Sequence, residues 1–127
     1  MEKIINIDGR DVKLKVNGGF LIKYKTRYKR DALQDIIKIF ENVDLNELEN
    51  LEDDLTAQFR IMQNIDLEIF YRILHMMAKT GNPDITDDVE EWCCSFDNLP
   101  VFDLITDIIE IFMSSITSNS QKKKFRK

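Results

Sequence analysis

Little in this chain is suited to covalent or metal chemistry. Its 127 residues include one histidine and two cysteines, and those cysteines are neighbours, Cys93-Cys94. A structural zinc site needs about four ligands converging on one point, and adjacent helical residues point about 100° apart. A CxxC redox pair needs two intervening residues, which are absent. The simpler reading makes Cys93 a small apolar residue beside Trp92, with Cys94 at the margin. His75 falls on the polar side of its segment, with no Ser or Cys at useful spacing, and reads as solvated. There is no phosphate loop and no GxGxxG. The acids of DITDDVEE lack the D-x-D-x-D-G calcium pattern and read as helix-capping groups. No enzyme, metal or cofactor is expected.

Long apolar runs are missing too. No stretch of about 18 apolar residues occurs, so no membrane span is expected. The start, MEKIINIDGR, has no apolar signal core, and two cysteines make no disulfide framework; both agree with a cytosolic protein. Length favours one domain, and 43% hydrophobic residues suffice for a modest core.

Charge is not scarce but is laid out in blocks. Residues 1–38 carry ten Lys/Arg against five Asp/Glu, residues 39–121 three against eighteen, and the last six, KKKFRK, add five positive charges. An acidic middle repels phosphate, which disfavours a general nucleic-acid binder but leaves room for a local basic patch.

Periodicity supplies the elements. Ile5 and Ile7, then Val12, Leu14 and Val16, alternate with polar residues around Asp8-Gly9, which predicts a β-hairpin. From Phe20, the residues Leu21, Tyr24 and Tyr28 recur at helical spacing. Asp31 with Gln34 resembles a capping box, opening a helix whose apolar face is Leu33, Ile36, Ile37, Phe40 and Val43. Asp44 to Asp54 is acidic, with Leu45, Leu48, Leu51 and Leu55 at helical spacing, and reads as a short helix or a loop. One long helix is predicted from Thr56 to Lys79, with Glu68, Arg72, His75 and Lys79 as its polar stripe and an i,i+4 pair between Glu68 and Arg72. Gly81-Asn82-Pro83 ends it. Asp87 with Glu90 caps the next helix, whose face is Val89, Trp92, Cys93 and Phe96. A last helix carries Phe102, Ile105, Ile109, Phe112 and Ile116 opposite Asp103, Asp107 and Glu110. The expectation is a mainly α (α+β) chain: an N-terminal β-hairpin followed by about four to five helices over residues 1–117, with a disordered basic tail at 118–127.

Two groups of residues are candidate contacts. The last helix offers Phe102, Ile105, Ile109, Phe112 and Met113 to a partner; the competing reading makes them ordinary core, and self-association would let them serve both roles. Lys23, Lys25, Arg27, Lys29 and Arg30, interleaved with Tyr24 and Tyr28, form a basic face. Lys122, Lys123 and Lys124 extend the basic set into the tail.

The order of these elements resembles the tail assembly chaperones of long-tailed phages and prophages of Gram-positive bacteria. The resemblance spans residues 3–116. It is carried by INIDGRDVKLKV, RYKRDALQDIIK, LEIFYRILHMMAKTGNPDITDDVEEWCCSFD and the apolar last helix, above all by IFYRILHMMAK through the proline to VEEW and Phe96. Cys93-Cys94 departs from the pattern, where apolar or polar helix residues are expected after the tryptophan. The family has no catalytic residues to carry over. The resemblance implies binding to the tape measure protein, which is kept soluble until tail tube subunits polymerise around it. It also implies work in the host cytoplasm, absence from the finished virion, and a longer form made by ribosomal frameshifting near KKKF that contacts tail tube protein. A second reading, from another class, is a small DNA-binding phage or host regulator using the basic helix 23–30. The absence of a helix-turn-helix signature counts against it.

Overall fold

The computed structural model describes residues 1–41 and 55–116. The chain opens with β1 (Glu2–Ile7) and β2 (Arg10–Lys15), an antiparallel pair in which Ile7 faces Arg10 across the two-residue turn. Both turn residues have left-handed backbone, Asp8 at φ 53° and Gly9 at φ 81°, the geometry whose twist matches paired strands. Asn6 Oδ1 accepts from the Gly9 N–H at 3.2 Å and closes the turn. Alternation then sorts the strands: Ile7, Val12, Leu14 and Val16 are buried, while Ile4 faces solvent.

Six helices follow among the described residues: α1 (Phe20–Tyr28), α2 (Ala32–Phe40), α3 (Leu55–Asn64), α4 (Leu67–Gly81), α5 (Val89–Cys94) and α6 (Val101–Ile116). The mainly α architecture with an N-terminal hairpin is as the sequence predicts. The count is higher because the long helix predicted over 56–79 is two helices. Asp66 leaves helical backbone (φ −80°, ψ 96°) and its side chain accepts from the Ile69 N–H at 3.2 Å, so it starts α4 rather than continuing α3. The N-cap of α5 is likewise one residue later than expected. Asp88, not Asp87, accepts from the Glu91 N–H at 3.1 Å. Asp31 does cap α2, accepting from Leu33 N–H at 2.9 Å. The possible element at 44–54 and the basic tail lie outside the described residues.

α4 is the centre. It packs on β2, α2 and α5, and Ile69, Phe70, Ile73, Leu74, Met76 and Met77 are all buried. Its end abuts the hairpin so closely that a Cβ on Gly81 would lie 2.3 Å from the Lys13 carbonyl oxygen. Glycine is required there by that approach, not by a left-handed helix end. One continuous core joins residues of both strands and all six helices.

Polar ties hold the hairpin to the far end of the chain. Lys3 Nζ reaches Asp107 of α6 at 2.8 Å. Arg10 lies 3.7 Å over the Phe96 ring and donates to Ser95 Oγ, and Asp8 accepts from the Asp97 N–H at 2.9 Å. The expected Glu68–Arg72 pair is present at 3.5 Å.

Three helix faces are rotated from their sequence-based assignment. In α1 the inward residues are Phe20, Tyr24 and, half-buried, Tyr28, with Leu21 turned out. In α2 they are Ala32, Asp35, Ile36 and Ile39, while Leu33 and Ile37 face outward. In α6 they are Leu104, Ile105, Ile108, Ile111 and Phe112.

Candidate partner-binding surfaces

α6 carries two apolar stripes side by side. The inner one is core. The outer one is Phe102 and Ile109, both half-buried, then Met113 and Ile116, both exposed. These residues are spaced by seven, four and three, which places them on one side of a helix. Of the five contact residues proposed from sequence, Phe102, Ile109 and Met113 therefore sit on the outer stripe. Ile105 and Phe112, each 1% exposed, are inside the core and out of a partner's reach.

A feature that sequence reasoning missed adjoins this stripe. α3 exposes Leu55, Phe59 and Met62, and these three line a shallow cleft of about 100 Å³ with Phe102. Their spacing of four and three is legible, but the sequence groups Leu55 with the leucines of the acidic segment and places Phe59 and Met62 in the first turns of one long helix. Asp103 and Glu110 stand exposed beside the outer stripe, so its rim is acidic.

The basic helix divides into two sets. Arg30 and Arg27 are used internally. Arg30 clasps Asp35 through three contacts of 2.7 to 2.9 Å, and Tyr24 Oη donates to the same carboxylate at 2.7 Å. Burial alone would raise the Asp35 pKa, but these donors outweigh it and hold the carboxyl below its usual range. Arg27 donates to the Asp87 backbone oxygen and faces its carboxylate, which Lys79 also holds at 2.7 Å. Lys23, Lys25 and Lys29 remain exposed and make no ion pair among the described residues. Lys122, Lys123 and Lys124 lie outside the described residues.

His75 is not on the solvated stripe that its spacing suggested. It is fully buried between α4 and the turn before α5, with Trp92 against its ring at 5.8 Å between centroids. Nε2 donates to the Thr86 carbonyl at 2.7 Å, which fixes the neutral tautomer, and Nδ1 has no partner among the described residues. Desolvation lowers its pKa, with the Thr86 carbonyl acting the other way. Its role here is to join α4 to the following turn.

Cys93 is half-buried beside Trp92 and packs against the core, and burial pushes its thiol up to about 11. Such a thiol is a poor thiolate nucleophile near neutral pH. Cys94 is exposed. Among the described residues no three of His, Cys, Asp and Glu come together as a metal site, and no helix is long and apolar enough to cross a membrane.

No protein family, curated protein or solved structure matches this chain.

Proposed function

We propose that this protein is a tail assembly chaperone of a long-tailed phage or prophage, acting by transient binding and not by catalysis. The observation that carries this reading is the apolar cleft that Leu55, Phe59 and Met62 of α3 line with the half-buried Phe102 of α6, together with the outer α6 stripe that runs from Phe102 to the exposed Met113 and Ile116. Apolar groups left together on a surface mark a docking site. A long amphipathic chain such as a tape measure protein exposes the complementary stripe, and helix-in-groove contact would cover both. The acidic remainder of the chaperone would keep the complex soluble in the host cytoplasm. Tail tube protein would be met through a longer, frameshifted form, and release on tube assembly would leave the protein out of the virion.

The basic helix favours this reading over a DNA-binding regulator. Two of its five bases, Arg27 and Arg30, are spent on Asp87 and Asp35. Co-expression with the tape measure protein of the same genome is the direct test. The proposal expects that protein to move into the soluble fraction and to co-purify. It expects both effects to be lost when Phe59 and Ile116 become Ser while the fold persists. An insoluble tape measure protein, or a soluble one that never co-purifies, overturns it. A slippery heptamer absent from the codons for KKKF would remove the longer form alone.

A further inference from the structure

A second exposed apolar face lies on the opposite kind of rim. Ile22, on α1, is 70% exposed, the largest exposure of any large hydrophobic side chain among the described residues. It stands between two grooves, and Thr26, one turn on, lines both. The first groove, about 420 Å³, runs between α1 and α4 over Met76 and Pro83. The second, about 330 Å³, runs between α1 and α2 over Leu21 and Leu33. Ile37, one turn beyond Leu33, is 65% exposed and continues the apolar strip along α2.

The charges around these grooves are mostly of one sign. Lys23 lines the first and Lys25 the second, and Lys29 is exposed at the end of α1. Arg27 and Lys79 also line the first groove, but Asp87 already neutralises them in part. Asp31 is the one acid lining the second groove. An aliphatic strip edged by lysines that make no ion pair among the described residues suits a ligand with an apolar stripe and carboxylates beside it.

We propose that the α1 face docks an acidic amphipathic helical segment, whose apolar side covers Ile22 and Leu33 and whose carboxylates meet Lys23 and Lys25. This rests on the chaperone reading only in naming which stretches of a long client would be held here. A duplex nucleic acid is disfavoured because four exposed aliphatic side chains, Leu21, Ile22, Leu33 and Ile37, offer phosphate and base edges no hydrogen bond.

The test uses the full chain and three labelled synthetic helical peptides with one common apolar stripe. Their polar faces are acidic, uncharged or basic, and binding is read by fluorescence anisotropy. The acidic peptide is expected to bind at least about ten-fold tighter than the basic one, with the difference shrinking as salt rises. Ile22→Ser is expected to weaken all three peptides. Lys25→Glu, alone or with Lys23→Glu, is expected to weaken the acidic one selectively. Thermal melts confirm that each variant folds, and Phe59→Ser on the other surface is expected to leave acidic-peptide binding unchanged. Equal binding of acidic and basic peptides overturns the proposal, as does binding indifferent to the α1 substitutions. Tight salt-sensitive binding of a DNA duplex with no peptide binding would assign the face to nucleic acid and overturn it. A dimer in sedimentation that Ile22→Ser dissociates would assign the face to a second copy and also overturn it. Because no tape measure protein is present, the outcome is independent of the co-expression test. Peptide binding without client solubilisation would sink the function and keep the face.

Discussion

α1 and α6 solve the same problem in opposite charge. Each turns one stripe into the common core, Phe20 and Tyr24 from α1 and Ile105, Ile108 and Phe112 from α6. Each also leaves aliphatic groups outside: Leu21 and Ile22 on one, Met113 and Ile116 on the other. The first set is edged by Lys23 and Lys25, the second by Asp103 and Glu110. Apolar exposure alone therefore does not distinguish the two faces; their rims do. Electrostatic complementarity mainly sets which partner is admitted and how fast it arrives. Under the proposed function, two such faces would hold different stretches of a long client whose charge varies along its length.

Internal use of charge sharpens this contrast. Just after α1, Arg30 is consumed by the buried Asp35, and on α6, Lys3 takes Asp107 at 2.8 Å and also approaches Glu110 at 3.7 Å. What remains outward is a residue of the sequence-level charge after the fold has taken its share. Counting charges on a helix overstates the rim by the number that fold inward.

The largest expected effect separates inner from outer stripe. Ile105→Asp buries an unpaired charge and should cost on the order of 4 kcal/mol or more, enough to unfold a marginal domain. Ile116→Asp, on the outer stripe, should change stability by about 0.5 kcal/mol or less. Urea titration of both variants checks the pair; similar losses would mean the two stripes are not distinct. Asp35→Asn comes next. It removes the charge that Arg30 and Tyr24 share and should cost about 2–3 kcal/mol, read in the same titration. A smaller loss would show that Arg30 is free to join the basic rim.

Gly81→Ala should cost about 1–3 kcal/mol, because its methyl meets the Lys13 backbone and not a movable side-chain tip. A neutral result would show that the hairpin can slide on α4. The smallest effect belongs to His75. Its folded pKa lies below the unfolded value of about 6.5, so the unfolded chain takes up the proton first. Stability contributed by the neutral ring is complete above that unfolded value. It falls as pH drops through it and levels off below the folded pKa. His75→Gln should flatten this limb in thermal melts between about pH 7 and pH 5.

Much of this was legible in the sequence, and the failures have physical causes. The hairpin was plain because Asp8-Gly9 permits one turn geometry between two alternating runs. The α4 centre was plain because apolar residues cover most of its circumference. The break at Asp66 was missed because Ile65 and Ile69 continue a helical spacing across it, and spacing cannot reveal a cap. The α2 face was misassigned because Asp35 looks polar in sequence, while Arg30 and Tyr24 make its burial tolerable. The same blindness hid His75, whose Nε2 is satisfied by a carbonyl eleven residues away. On α6, apolar residues at spacings of three and four describe two adjacent stripes equally well, and only packing decides which one goes inside.

The measurement closest to the centre of this account is co-expression of the chain with the tape measure protein that the proposed function names as its client, quantified as the soluble, co-purifying fraction. The account predicts a soluble complex that Phe59→Ser with Ile116→Ser abolishes while the double variant still melts like the native protein. A tape measure protein that stays insoluble beside the folded native chain would contradict it.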